Sequence, residues 1–436
     1  MSTTTLATEM QAFVIEGGKP LSGTVRAAGN KNGALPILAA TVLASEPVQL
    51  SNVPRIRDVQ TMVELLIDVG ADAEWIGTNE IRIDPTGVHK SELDEELCRR
   101  IRASFLLTGP LLARFGRATV PPPGGDVIGR RRLDPHIHGL AELGVEIEIN
   151  GRFEMRAPRL RGKSIFLDEA SVMATENVVM AAVLAEGETV IGNAACEPHV
   201  QDLCRFLVSL GARIEGIGSN VLRIEGVDRL RGGEWRIASD HIEVASFIGL
   251  AAVTAGELVI DGVVPADLLP LEHQFARLGV RWEIEGSSVR VPAEQELAVV
   301  DDLGDQIPKI ESGIWPAFPA DLTSIAVVAA TQARGTVLVF EKMFESRLFF
   351  VDKLVSMGAR IILCDPHRVV VTGPARLYGQ RLESPDIRAG MAMVIAALCA
   401  DGTSSIGNIG QIDRGYERID ERLRAVGAHI ERTEIS

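Results

Sequence analysis

The stretch Leu66-Ile67-Asp68-Val69-Gly70-Ala71 decides the fold. It reads as a helix end: apolar residues three apart on one face, then a glycine free to take the left-handed conformation that closes a helix. The residues after such a phrase alternate as a half-buried strand does, for example Ile147-Glu148-Ile149 or Trp282-Glu283-Ile284. Working outward, the same phrase returns at Leu140–Val145, Leu207–Ala212, Phe275–Val280, Leu354–Ala359 and Leu423–Ala428. Its glycines, Gly70, Gly144, Gly211, Gly279, Gly358 and Gly427, are separated by 74, 67, 68, 79 and 69 residues. One such helix end is commonplace, but six at near-constant spacing mark a repeated unit.

A second phrase accompanies the first: an Ala/Val/Leu-rich helix, a Gly turn, then a strand. Examples are Val178–Ala185 with Gly187 and Thr189–Ile191, Phe247–Val253 with Gly256 and Leu258–Ile260, and Met393–Ala400 with Gly402. Helices built of small apolar residues pack closely and are expected inside, with sheets around them. Six units, three to a globule, predict an α/β protein of two domains with a cleft between them, where ligand sites are favoured.

Composition narrows the function. The chain has 436 residues, 44 Lys+Arg against 59 Asp+Glu and a formal net charge of −15. That balance argues against a general nucleic-acid binder, and 4% aromatic residues advertise no base-stacking platform. Cys98, Cys196, Cys204, Cys364 and Cys399 show no metal-ligand spacing and are expected to be buried thiols in a reducing compartment. The N-terminus lacks the basic start and apolar core of a signal peptide, and no apolar run is long enough for a membrane helix. The expectation is a cytoplasmic protein with no membrane or nucleic-acid partner.

Three polar patches interrupt the repeats. Ala28-Gly29-Asn30-Lys31-Asn32-Gly33 precedes an apolar helix and suits an anion-binding turn, with a solvated turn as the plainer alternative. Pro121-Pro122-Pro123-Gly124-Gly125-Asp126-Val127-Ile128-Gly129-Arg130-Arg131-Arg132-Leu133-Asp134-Pro135-His136 reads as a lid, stiff at one end and glycine-rich beyond. Upstream, Arg99 and Arg100 fit one face of a surface helix. The third patch gathers Asp321, Arg347, Asp386, Arg388, Asp413 and Arg414 in the C-terminal half; helix capping by Asp321 and ordinary salt bridges are the competing readings. Many arginines, one lysine and several carboxylates, with no metal cluster, favour acid–base chemistry on a multiply anionic small molecule.

The ordered phrases resemble the enolpyruvyl transferases over essentially the whole chain. They are Ile15-Glu16-Gly17-Gly18, Pro20-Leu21-Ser22-Gly23, Lys31-Asn32-Gly33-Ala34-Leu35-Pro36, Arg102-Ala103-Ser104, Gly124-Gly125-x-x-Ile128-Gly129, Ala174-Thr175-Glu176-Asn177, Glu197-Pro198, Phe318-Pro319-x-Asp321 and Ile412-Asp413-Arg414-Gly415-Tyr416-Glu417-Arg418. The resemblance implies an inside-out α/β barrel architecture of βαβαββ-like units, three in each domain. One domain is residues 1–30 plus 239–436; the other is 31–238 and carries the lid at about 121–136. It further implies transfer of the enolpyruvyl group of phosphoenolpyruvate to the 3′-hydroxyl of UDP-N-acetylglucosamine, releasing phosphate, with no cofactor and no metal. By position, Lys31, Arg131 and Arg414 match the donor-binding cations, supported by Arg102 and Arg388. Asp321 matches the base at the acceptor hydroxyl. Asn32, Asp134, Ser171, Val172 and Glu197 match acceptor-side or cleft positions; Arg347 and His136, the latter within the lid motif, are also expected to bind substrate.

Several positions depart from the family pattern. Asp126 stands where the lid usually carries cysteine; it can serve as a general acid but offers no thiolate, which implies insensitivity to fosfomycin, an alkylator of that thiol. Arg132, Pro135, Met173, His241 and Ser346 also differ, all on the acceptor side. A different acceptor, a nucleotide or shikimate phosphate, and a non-catalytic sugar-nucleotide-binding paralogue are the competing functions.

Overall fold

Each of the six repeat glycines takes a positive φ, between 76° and 110°. The residue after it donates its N–H to the carbonyl of the apolar residue that opens the phrase. These bonds are Ala71 to Leu66 (2.9 Å), Val145 to Leu140 (3.2 Å), Ala212 to Leu207 (3.0 Å), Val280 to Phe275 (3.2 Å), Ala359 to Leu354 (3.0 Å) and Ala428 to Leu423 (3.0 Å). That six-to-one bond is a Schellman closure, and only glycine reaches its left-handed turn without steric cost. The computed structural model describes residues 11–125 and 131–434.

Among the described residues the strands form six sheets, five of four strands and one of three. A four-stranded sheet combines two antiparallel pairings with one parallel strand. Thus Glu188–Gly192 pairs antiparallel with Val221–Glu225 and parallel with Ser164–Phe166. The three-stranded sheet joins Arg117–Val120, Phe153–Arg156 and Glu146–Ile149. Where a fourth strand would lie, it has only the bridge between Glu92 and Thr119.

Helices of two kinds accompany these sheets. Lys31–Ala40, Val172–Ala182, His241–Val253, Thr323–Gln332 and Ile387–Cys399 are buried along nearly their whole length. Arg57–Asp68 and Pro198–Ser209 instead bury one face and leave the other wet. The apolar side chains collect into two cores, one from residues 13–27 with 242–430, the other from 34–237. The chain passes between them twice, and the two crossings are bonded to each other. Asn30 donates to the Ala238 carbonyl (2.8 Å) and Asp240 to that of Ala28 (2.9 Å). Each crossing ends in a cap: Asn30 Oδ1 accepts from Asn32 (2.9 Å) and Gly33 (3.3 Å), and Asp240 Oδ1 from Ile242 (2.9 Å) and Glu243 (3.3 Å). Two buried helices therefore start where the globules meet.

No helix of the described residues is long and apolar enough to cross a membrane. Cys98, Cys196 and Cys204 are buried, but Cys364 is exposed, which corrects the expectation of uniformly buried thiols. Cys364 lies in the strand Arg360–Asp365 at the edge of its sheet, most of whose residues meet water.

Candidate active site

Lys31, the first residue of its helix, extends to Asp58 on the first turn of Arg57–Asp68, with Nζ 2.7 Å from Oδ2. Arg414 arrives from the other core and donates Nε to Asp58 Oδ1 at 2.9 Å. A buried carboxylate thus ties two cations across the interdomain boundary. Burial alone would raise its pKa, yet Lys31 and Arg414 together hold the carboxyl below the usual aspartate range.

Asp321 forms the second cluster. It lies in the 3-10 turn Ala320–Leu322 and caps no helix, since Thr323–Gln332 has no side-chain cap bond. Its carboxylate accepts from Arg347 Nη2 at 2.5 Å and from Arg388 Nε at 3.1 Å. Burial opposes the charge, but Arg388 and Arg347, with Lys31 after them, pull the carboxyl well below its ordinary pKa. The influence of Lys31 puts both clusters within electrostatic reach of each other. Asp386 supports the arrangement by capping Ile387–Cys399, accepting from the Arg388 N–H at 2.8 Å. The Arg388 guanidinium also lies 5.3 Å from the Tyr416 ring centroid.

The helix Val172–Ala182 begins at Ser171, whose hydroxyl accepts from the Ala174 N–H at 3.4 Å. Ser171 and Val172 are half-buried. Burial raises the pKa of Glu197, against the nearby backbone N–H groups of its own residue, Trp315 and Cys196. Buried Glu176 is raised well above the usual range, by burial first and Glu197 second. His199 stacks nearly parallel to His241 with centroids 6.3 Å apart, and His241 meets the edge of Trp315 at 5.6 Å. Asn32 is half-buried beside its helix cap.

The described ends of the expected lid are both pinned. Gly124 donates to the Cys98 carbonyl at 2.9 Å, and any Cβ there would stand 1.7 Å from the Arg99 oxygen. Arg102 Nη2 donates to the carbonyls of Arg131 (2.9 Å) and Arg132 (3.1 Å). Burial, then Arg131, lowers its pKa to about 10. Arg131 is half-buried, whereas Arg132 turns to Asp134 (3.4 Å) and Asp168 (3.2 Å) on the surface. Arg99 and Arg100 pair with Glu95 and Glu96 one helical turn earlier. Asp126 and Arg130 lie outside the described residues.

One expected contact is corrected. His136 is 1% exposed, edge-on to Phe105, with its Nδ1 accepting from Asn177 Nδ2 at 3.0 Å. It acts on the site through packing, because its ring has no open face for a substrate. Sequence reasoning missed Asp58 entirely: an acid in the first turn of an amphipathic helix looks like ordinary dipole compensation.

The buried histidines have a thermodynamic consequence. Burial lowers the pKa of His136 to about 3, His199 to about 4 and His241 to about 3. The unfolded chain binds these protons near pH 6.5 and the folded chain does not, so each costs stability as pH falls below that value. His136→Gln removes one such proton. Between pH 7.5 and 5 the variant should lose about 2 kcal/mol less stability than the parent, read from urea midpoints. An unchanged pH slope would refute the neutral, buried assignment.

The chain is similar to known proteins over nearly its whole length. The model for EPSP synthase (3-phosphoshikimate 1-carboxyvinyltransferase) matches residues 15–423. The chain belongs to the enolpyruvyl transferase family. It is 57% identical over 420 residues to the UDP-N-acetylglucosamine 1-carboxyvinyltransferase of Bradyrhizobium diazoefficiens, covering 96% of this chain and 97% of that one. Against the same enzyme of Treponema denticola it is 56% identical, with 97% and 99% covered. Among solved structures, the enolpyruvyl transferase NikO of Streptomyces tendae superposes with a TM-score of 0.87 at 25% identity, covering 98% of this chain and all of that one. EPSP synthase of Acinetobacter baumannii shares the fold, with a TM-score of 0.75 at 18% identity over 98% of this chain and 100% of that one.

Proposed function

We propose that the protein transfers the enolpyruvyl group of phosphoenolpyruvate to the 3′-hydroxyl of UDP-N-acetylglucosamine, the reaction that commits the sugar nucleotide to peptidoglycan. The observation that carries this reading is the facing pair of clusters, Lys31 and Arg414 on Asp58 beside Asp321 under Arg347 and Arg388. Relatives above 50% identity bearing that acceptor in their names support its choice.

In this reading Lys31, Arg131 and Arg414 receive the donor's phosphate and carboxylate, with Arg102 fixing the lid and Arg388 supporting the charge. Asn32, Asp134, Ser171, Val172, Glu197 and Arg347 border the acceptor. Asp321 takes the proton of the attacking hydroxyl as its oxygen bonds to C2 of the donor. Asp126 protonates C3 in the same addition, giving a tetrahedral ketal; loss of phosphate with return of the C3 proton regenerates the vinyl group.

Phosphate release with phosphoenolpyruvate and UDP-N-acetylglucosamine tests the reading. Release with shikimate 3-phosphate instead would assign a different acceptor, and release with neither would remove the catalytic reading. The lid assignment has its own test: Asp126→Cys is expected to gain time-dependent inactivation by fosfomycin that the parent lacks. Failure of the cysteine variant to be alkylated, seen by intact mass, would break the positional match.

A further inference from the structure

A cavity of about 770 Å³ opens beside the two chain crossings. Its walls come from both globules: Asn52, the turn at Asn79 and Arg236 on one side, and the segment from Glu417 to Ala425 on the other. None of Lys31, Asp58, Asp321 or Arg414 lines it, so it is separate from the cleft site.

Two of the arginines lining this cavity end the strands that lead into the crossings. Arg26 is the last residue of the strand Ser22–Arg26, and Arg236 the last of Gly233–Arg236. Each strand runs directly into one crossing, so the two guanidiniums approach from different globules at matching places. Arg422 is held by Glu243 and Arg418 by Glu421. Arg26 and Arg236 are exposed and have no carboxylate partner among the described residues. Guanidiniums with no carboxylate partner, one from each globule, are suited to bidentate binding of phosphate. Glu80 on the same wall can accept hydrogen bonds from ligand hydroxyls.

A short stretch of chain joins this cavity to the cleft. Glu417 accepts both contacts from Asn79 Nδ2, at 2.9 and 3.1 Å, bridging the globules at the cavity wall. Tyr416 lies beneath Arg388, and Arg414 reaches Asp58. Arg418 holds a left-handed φ of 45° at the rim, a conformation a non-glycine residue keeps only where its surroundings impose it.

We propose that this cavity is an effector site for a small polyanion carrying adjacent phosphate groups, gripped by Arg26 from one globule and Arg236 from the other. A ligand bound to both walls favours one relative orientation of the globules, and it changes the cleft to the extent of that preference. The proposal stands apart from the identity of the acceptor, because binding can be read without turnover.

Inorganic pyrophosphate is the probe, titrated calorimetrically into the full chain. The parent should show two classes of site, one in the cleft and one beside the crossings. Arg26→Gln with Arg236→Gln should lose one class, weakened at least about tenfold, as expected when charge-assisted bonds to phosphate are removed. Lys31→Ala with Arg414→Ala should lose the other and keep this one. Arg236→Glu alone gives a second route to the same loss, and melting midpoints verify that each variant is folded. In steady state, pyrophosphate should show a component of inhibition or activation not competitive with phosphoenolpyruvate, absent from the Arg26/Arg236 variant. Unchanged isotherms in that variant would overturn the proposal. So would abolition of all binding by the cleft substitutions. Citrate bound as tightly as pyrophosphate would overturn the phosphate assignment.

Discussion

Asp321→Asn is expected to reduce kcat by about 10²- to 10⁴-fold, the range spanned by loss of a positioned general base. Asparagine preserves the shape of the side chain but cannot take the hydroxyl proton. Arg347 and Arg388 hold the parent carboxylate ionised throughout the working pH range. The same clamp makes it a weak base in the free protein. The incoming donor anion competes for Arg388 and loosens the clamp, so basicity rises as the site fills. Removing the charge also leaves the buried Arg388 guanidinium, with its side chain only 5% exposed, short of a counter-ion, while Arg347 keeps Asp386 at 3.5 Å. Some stability is lost with it. Turnover must accordingly be measured on protein whose melting transition shows it folded at the assay temperature. A kcat within threefold of the parent under those conditions would mean that another group takes the proton.

Asp58→Ala should be the most damaging substitution for stability among the cleft residues. Its carboxylate is buried and binds Lys31 at 2.7 Å and Arg414 at 2.9 Å, partners separated by nearly the length of the chain. Truncation leaves two cations facing each other with nothing between them, and breaking a buried pair in this way costs about 3–5 kcal/mol. The lowered pKa sets the sign of the pH dependence. The contribution is complete above the unfolded aspartate value near 3.9 and is lost as pH falls through the folded one. The parent and Asp58→Ala should therefore converge in stability under strong acid and separate at neutral pH. Phosphoenolpyruvate at saturating concentration should recover part of the melting temperature, since its charges replace the missing carboxylate between Lys31 and Arg414. A variant as stable as the parent at pH 7 would show that the bridge contributes nothing.

The repeats were legible because their signal is local. A Schellman closure needs only six consecutive residues, and the same phrase at Gly70 and at Gly427 produces the same bonds. The buried helices were legible for a related reason, since Met393–Ala400 offers no polar face. The family phrases also identified Lys31, Asp321 and Arg414, and the third polar patch Arg347 and Arg388, which the fold places within two neighbouring clusters. Pairing is the part that escaped. Nothing around Asp58 distinguishes it from Asp68 at the other end of the same helix, which is bound at the surface by Lys90. Only folding shows that one faces an arginine 356 residues away. His136 escaped in the opposite direction: its place in the lid motif pointed to substrate, while its ring serves Asn177 and Phe105.

The sheet that stops at three strands carries a consequence for motion. Its strand Arg117–Val120 leads straight into Pro121 and the glycine-rich segment, and on its outer edge it has only the Glu92–Thr119 bridge. Among the described residues this is the one sheet of the six with three strands. Opening that edge breaks few bonds, so its amides should exchange with solvent far sooner than those of the sheet around Glu188–Gly192.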